Sequence, residues 1–406
     1  MKPFLLSYGG GHANIQIRLS RSLTQLGIKH DLLGLTTAYA AFRAAGLKAL
    51  DITALLRPDD ADYSDRVAPY VPETVHPDIT PEQTQAYFSL GFRSLAEQIG
   101  EDEALERVAA QGRMAFEPVS IFRRHFADQP PSVVVATTSP RFEVAAIRAA
   151  RALNIPTVAI GDHFLAGQLG HVGSEDFADH LVVFGERVAE YLEPKCSPGM
   201  TFHPLGNPAF DDLAAIENRD AVRQRLRDTL GFGDRTVILW PLSAEYLTIK
   251  GRPMMTGEEA VAFFDDLCEA DPSLTYVMRP HPNGNSETLQ PRHGVLDTEH
   301  ALEEVLLAAD VVVSQTSTVG LQAALMGVPN IVLDFAFHMP SARAGYGIEC
   351  NDRAELARRL LARDYAPCAP ELRATVGGAG DRIAKLVRDL HEKKSESADT
   401  SVGGPA

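Results

Sequence analysis

The chain has 406 residues, enough for two domains of ordinary size, and its 45% hydrophobic and 23% charged residues suit two packed cores. A formal net charge of -16 disfavours nucleic acid and a general basic membrane face, so an anionic substrate needs a local basic pocket. Cys196, Cys268, Cys350 and Cys368 form no CxxC pair, which argues against a zinc site or disulfide framework and fits a reducing, cytoplasmic setting.

Residues 3–7 read as a buried strand running into Gly9-Gly10-Gly11, not as a signal peptide. Ile15, Ile17, Leu19, Leu23 and Leu26 give 13–26 a helix that packs on a sheet. Strands at 30–33 and 48–52 with a helix at 37–45 complete a βαβαβ opening, hence a parallel sheet with right-handed crossovers. The Pro- and Asp-rich stretch 57–79 reads as a long loop, followed by helices at 81–99 and 102–125. Strands at 132–136, 156–160 and 180–184 alternate with helices at 141–153 and 186–192. At 203–213 the text HPLGNPAFDDL reads as an interdomain linker.

The same alternation then restarts. Strands are predicted at 236–240, 275–279, 311–314 and 330–334, and helices at 257–269, 301–308, 319–326, 353–362 and 379–392. The tail from Lys394 is small and polar and reads as disordered. No stretch approaches the roughly 20 apolar residues that span a bilayer, so the protein is expected to be soluble, with peripheral membrane work left open.

Ligands of open parallel sheets bind beyond the carboxyl ends of strands, so the loops there carry the chemistry. Four stand out. SYGGGHANI (7–15) puts Gly9, Gly10 and Gly11 before a helix start. It reads as an acceptor or phosphate loop with His12 as general base, or as a tight turn with an exposed His. It is not GxGxxG and lacks the Lys of a P-loop. YVMRPHPNGN (276–285) ends a strand in Arg279 and His281, suited to phosphate oxygens, or to an Arg paired with a surface acid.

The segment 309–334 places Ser314, Thr316, Ser317 and Thr318 at a helix start, with Gln322 about one turn in. This is a cradle for a phosphate or diphosphate, with Gln322 toward ribose hydroxyls; plain N-capping is the simpler reading, but capping needs one hydroxyl and the loop offers four. IGDHFLAGQLGH (160–171) sets Asp162 beside His163, an acid/base pair or an Asx-type turn. Ser243, Lys250, Arg252, His203, Asn207, Trp240 and Asp334 are read as solvated, linker-shaping, packing or capping residues.

In this order and spacing the motifs resemble the GT-B superfamily of nucleotide-sugar enzymes, over roughly Lys2 to Leu390. SYGGGHANI resembles the first loop of the MurG and monogalactosyldiacylglycerol synthase group. HPLGNPAFDDL resembles the GNP motif shared with UDP-N-acetylglucosamine 2-epimerases, and STVGLQAALMGVP the donor segment of the superfamily. RPHP is similar to a loop of bacterial surface-polysaccharide transferases. The resemblance implies an α/β GT-B fold, two Rossmann-like domains with parallel sheets facing across a cleft. It implies an acceptor domain (1–205), a donor domain (206–378), a helix crossing back (379–393) and a tail (394–406). Gln322 stands where many members carry a ribose-binding Glu, which opens CMP- and CDP-linked donors beside UDP. The epimerase HRREN-like segment is absent.

The expectation is therefore a glycosyltransferase that moves a sugar from a nucleotide-sugar to a hydroxyl acceptor in surface polysaccharide, glycolipid or glycoconjugate synthesis. His12, or the Asp162/His163 pair, takes the acceptor proton; no metal and no cofactor are expected, since Arg279, His281 and the 314–318 loop hold the leaving phosphate. The alternatives are a nucleotide-sugar 2-epimerase or hydrolase, which needs paired acids, and a binding subunit without turnover.

Overall fold

The computed structural model describes residues 1–73, 76–242, 248–249, 252–281, 288–315, 317–333 and 340–402, with backbone alone at 248–249, 252–253 and 397–402. The chain forms two units, Met1–Asp211 with Gly378–Ala406, and Asp212–Gly377.

Unit 1 runs β1 (Phe4–Ser7), α1 (Gly11–Gln25), β2 (Asp31–Gly34), α2 (Thr37–Ala44) and β3 (Leu50–Asp51). A helical insertion follows, α3 (Ala61–Val67), α4 (Pro81–Ile99), α5 (Glu101–Gln111) and α6 (Val119–Asp128). The sheet resumes with β4 (Val134–Thr137), α7 (Phe142–Ala152), β5 (Thr157–Ile160), α8 (Leu169–Val172), β6 (His180–Val183), α9 (Glu186–Leu192) and β7 (Thr201–Pro204). The strand order is β3-β2-β1-β4-β5-β6-β7, and every pairing is parallel. β1, β4 and β5 are buried at every residue because helices cover both faces, which is why they read as unbroken apolar runs.

After α10 (Asp211–Ala214), unit 2 runs α11 (Arg219–Thr229), β8 (Thr236–Pro241), the antiparallel pair β9 (Thr248–Ile249) and β10 (Arg252–Pro253), α12 (Gly257–Ala270) and β11 (Leu274–Arg279). It continues with β12 (Gly294–Leu296), α13 (Leu302–Ala308), β13 (Val311–Ser314), α14 (Val319–Met326), β14 (Asn330–Leu333), β15 (Ile348–Cys350) and α15 (Arg353–Ala362). Its sheet, β12-β11-β8-β13-β14-β15, is again all parallel. In both sheets the strand order therefore reverses between the first and fourth strands, the place where doubly wound sheets open a crevice.

The last helix, α16 (Ala379–Val402), belongs to unit 1. The Asp211 carboxylate accepts from Ala379 N at 2.8 Å and Gly380 N at 2.9 Å, which caps its start. Ile383, Ala384 and Val387 then join the core formed by Ile15, Leu19 and Leu23 of α1.

Local signals account for the matches and the departures. Thr80 and Gln83 form a capping box with Pro81 at the first helical position, so α4 begins as expected. The helix expected over 102–125 is two, because Gly112 turns the chain at φ 54° and Pro118 precedes α6. The expected loop at 57–79 contains α3. Buried Asp60 organises it, accepting from Arg57 N (2.6 Å), Arg93 (2.7 Å) and Arg124 (2.6 Å). The expected linker begins as the edge strand β7, and the unit boundary falls after Asp211. Residues 394–402, expected to be disordered, continue α16. Extending a pinned helix is far cheaper than starting one, and Lys394 Nζ donates to Asn154 O at 2.9 Å. No described helix is long and apolar enough to cross a membrane.

Candidate functional site

The carboxyl edge of unit 1 is built around the β1–α1 turn. Gly9 and Gly10 have φ of 147° and 57°, and a Cβ on Gly9 would lie 2.3 Å from Thr37 Oγ1. Two of the three glycines are thus demanded by the turn itself. The turn delivers His12 to the first turn of α1.

His12 Nδ1 lies 2.5 Å from Thr137 Oγ1, at the end of β4. Thr137 donates at 2.5 Å to Glu143 Oε2 on α7. Glu143 is 0% exposed and also accepts from Tyr8 N (2.6 Å) and Ser139 N (3.0 Å). His12 Nε2 faces Asp162 Oδ2 at 3.3 Å, a longer contact than the one at Nδ1. One imidazole is thereby set between two carboxylates, one sealed behind Thr137 and one partly exposed beside Nε2. Asn207, in the GNP motif, donates to the Asp162 carbonyl at 3.0 Å, and His171 Nε2 meets Thr138 O at 3.0 Å, so both loops are held.

The electrostatics follow from this placement. Burial lowers the pKa of His12, but the Asp162 bond and the Glu143 charge outweigh it, and the net shift is upward. Burial raises Glu143 despite the opposing His12 charge and its three donors. Asp162 is pushed up by burial but falls overall, through the His12 bond and the His163 charge. His163 sits 3.3 Å from Asp162 Oδ1, yet its Nδ1 accepts from Leu165 N at 3.0 Å, so in that tautomer it donates nothing to Asp162. Of the expected acid/base residues, His12 and Asp162 meet directly, and His163 stands to one side.

Two further marks single out this edge. Ser7 Oγ, Thr138 Oγ1 and Asp162 Oδ1, at the ends of neighbouring β1, β4 and β5, are buried with no hydrogen-bond partner among the described residues. Thr36, Arg141 and Leu165, in loops at the same edge, are held at φ 47°, 74° and 55°, costly for residues with a Cβ. Sequence reading missed Thr137 and Glu143; the sole hint is that TTS ends a strand and an acid follows on the first turn of α7.

In unit 2, Arg279 ends β11 and donates to Asp297 at 2.6 Å. Asp297 also bonds His300 Nδ1 at 2.6 Å. Burial raises Asp297, but His300 and Arg279 together hold it below the ordinary carboxylate range. Arg279 is therefore aimed by a buried acid, and His281 follows it half-buried. Ser314, expected in the phosphate cradle, is 3% exposed and donates to Asn330 Oδ1 at 3.1 Å, packed against Gly320. Ser317 Oγ accepts from Val319 N at 3.3 Å, a local cap, and Thr318 is exposed. Thr316, Ser243, Lys250 and Asp334 lie outside the described residues, as does the Arg252 side chain. Trp240 packs on Phe264, with ring centroids 5.5 Å apart.

The unexpected feature is Gln315. It is 5% exposed, and both its amide oxygen and nitrogen are without a hydrogen-bond partner among the described residues. Gln322 Oε1 is buried and unpartnered as well. The orphaned Gln315 amide and the Gln322 oxygen thus lie just before and within the first turn or so of α14, whose start has free N–H groups that favour an anion. Among the described residues no His/Cys/Asp/Glu group could hold a metal ion, and all four cysteines are free.

No family model and no curated protein sequence matches the chain. Solved structures do. The chain is similar to UDP-GlcNAc 2-epimerase from Neisseria meningitidis bound to UDP-GlcNAc, with TM-score 0.56, 13% identity, and 97% of this chain and 100% of that one covered. It is similar to S. aureus MnaA in its UDP co-structure (TM-score 0.59, 12% identity, 96% and 98% covered). It also matches UDP-GlcNAc 2-epimerase from Methanocaldococcus jannaschii (TM-score 0.56, 13% identity, 96% and 100% covered). The fold is GT-B. At these identities the likeness speaks for the fold of two Rossmann-like α/β units and leaves the reaction to the chain's own residues.

Proposed function

We propose that the protein is a glycosyltransferase that uses a nucleotide-sugar donor and activates an acceptor hydroxyl with His12. The observation that carries this reading is the asymmetric anchoring of the His12 ring. Nδ1 is tied through Thr137 to sealed Glu143, and Nε2 is left beside partly exposed Asp162. That is the arrangement of an oriented general base: a buried acid fixes the ring and stabilises its protonated form while the far nitrogen works.

In the proposed step the acceptor O–H gives its proton to His12 Nε2 as the oxygen attacks the anomeric carbon. The bond from that carbon to the diphosphate oxygen breaks, and the electron pair leaves on the nucleotide. Unit 2 is proposed to hold the donor, with the start of α14 and Arg279 toward phosphate and Gln315 and Gln322 toward base or ribose.

The 2-epimerase reading is favoured by the fold neighbours and by the presence of two carboxylates. Against it, Glu143 has no exposed surface and both acids serve one imidazole, whereas an epimerase needs groups that reach the substrate separately. Thermal shift with UDP, CMP, CDP, GDP and ADP identifies the donor class; a ligand at 100 times its dissociation constant adds about 2.7 kcal/mol. Product analysis of the matching nucleotide-sugar then decides. Consumption that requires an acceptor alcohol supports transfer, and acceptor-independent formation of a 2-epimer sinks it.

A further inference from the structure

Unit 1 holds a cavity of about 660 Å³ at the carboxyl ends of β1, β2 and β3. Tyr8, Thr36 and Ile52 follow those three strands; α4 contributes Tyr87 and Phe88, and the turn Gly112–Ala115 contributes Met114. The cavity shares a wall with the His12 network. The Tyr8 ring lines it, while the Tyr8 N–H donates to Glu143. Arg141 lies 4.9 Å over the Tyr8 ring and donates to Met114 Sδ at 3.3 Å, tying the cavity to the β4–α7 loop.

The chemistry of the lining selects its ligand. Three of its polar side chains already make hydrogen bonds within the protein. Thr36 donates to Tyr8 O, and Thr84 donates to Thr80 O at 3.2 Å. Gln83 donates to Asp51 at 3.0 Å and accepts from Thr80 N at 3.1 Å. Tyr8 donates to Tyr87 at 3.0 Å, which leaves the Tyr87 proton for one polar group of a ligand. Gln111 and Arg113 are exposed, and Arg113 is the one cation among the described lining residues. Met114 and Tyr70 add apolar surface that the fold leaves 62% and 38% exposed.

We infer that this cavity receives the acceptor, and that the acceptor is a compact, mainly apolar, ring-bearing alcohol or phenol and not a sugar chain. The inference rests on the transferase reading above. A volume of this size suits a ligand of drug-like dimensions, and aromatic walls suit a ring. A sugar chain would bury more hydroxyls than the few remaining polar groups of the lining can pair, each unpaired one costing roughly ten- to a hundredfold in affinity.

The test titrates the full-length protein with 4-methylumbelliferone, a compact phenol, and with maltotriose, by calorimetry. Thr84→Trp fills the cavity. Met114→Lys changes an exposed side chain and leaves the core intact should the first variant fold poorly. The phenol is expected to saturate one site, to bind at least about tenfold more weakly to Thr84→Trp and a few-fold more weakly to Met114→Lys, while maltotriose gives no heat. Nucleotide-induced thermal shifts stay unchanged in both variants. Maltotriose binding that Thr84→Trp abolishes, or phenol binding indifferent to both substitutions, overturns the inference with the transferase reading left standing. Phenol binding that both variants weaken, without acceptor-dependent consumption of any nucleotide-sugar, supports the cavity assignment and removes the transferase reading.

Discussion

The two sheets share a strand order and differ at their carboxyl edges. In unit 1 the edge joins three titratable groups in one line: His12 reaches Glu143 through the Thr137 hydroxyl and faces Asp162 on its other side. In unit 2 the corresponding edge, at β13 and the start of α14, carries neutral amide atoms that are buried without a hydrogen-bond partner among the described residues, both ends of Gln315 and the oxygen of Gln322. A linked chain of ionisable groups has a stake in where protons sit. An orphaned amide has a stake in a partner that is not part of the protein, because leaving it dry and unpaired costs stability. On the proposed reading unit 1 handles the acceptor and its proton and unit 2 recognises the nucleotide, and each assignment can be broken separately.

The largest expected effect is at His12. His12→Ala should slow acceptor-dependent turnover by on the order of 10²–10⁴-fold, with the nucleotide-induced thermal shift intact. Loss of nucleotide binding in that variant would merge the two edges and end the division of labour.

Next comes the pH profile. If the neutral ring is the base, as proposed, kcat/KM should rise with pH through an acid limb displaced upward from 6.5, the ordinary value for His. Glu143→Gln removes the buried charge and should move that limb down, whereas His163→Ala should leave it in place. The linkage sign is fixed as well: stability from charged His12 is full below its unfolded pKa and fades as pH rises through the raised folded value. An acid limb that ignores Glu143→Gln would leave Glu143 a purely structural acid.

Gln315→Leu should separate binding from stability. Replacing a buried, unpaired amide by a carbon side chain of similar volume should raise the apo protein's stability by about 1–3 kcal/mol and abolish the nucleotide-induced shift. Unchanged nucleotide response would show that unit 2 recognises its ligand elsewhere. The smallest effect is expected at the α16 cap. Asp211→Ala should cost unit 1 about 0.5–2 kcal/mol in denaturant unfolding and leave the nucleotide response of unit 2 unaltered.

Much of the scaffold was legible beforehand, for local reasons. Parallel strands buried on both faces must be apolar runs, as in β4 and β13, and a Thr-Pro-x-Gln start announces α4. β12 and β15 escaped notice because strands of three residues carry no periodicity. At the site, His12 and Asp162 stood out because they follow strands in chemically loaded loops. Glu143 did not, since an acid on the first turn of a helix looks like any exposed charge favoured by the helix dipole. Ser314 was overvalued, because a hydroxyl at a strand end does not reveal that Asn330 and Gly320 will close over it.

Sequence alone therefore determined what short-range chemistry governs: two Rossmann-like units, their strands, and the turn that presents His12. Tertiary structure decided which groups face each other across 125 residues, as His12 and Thr137 do, and which polar atoms are left without partners. Those facts depend on burial and on contacts between distant segments, and pattern along the chain does not encode them.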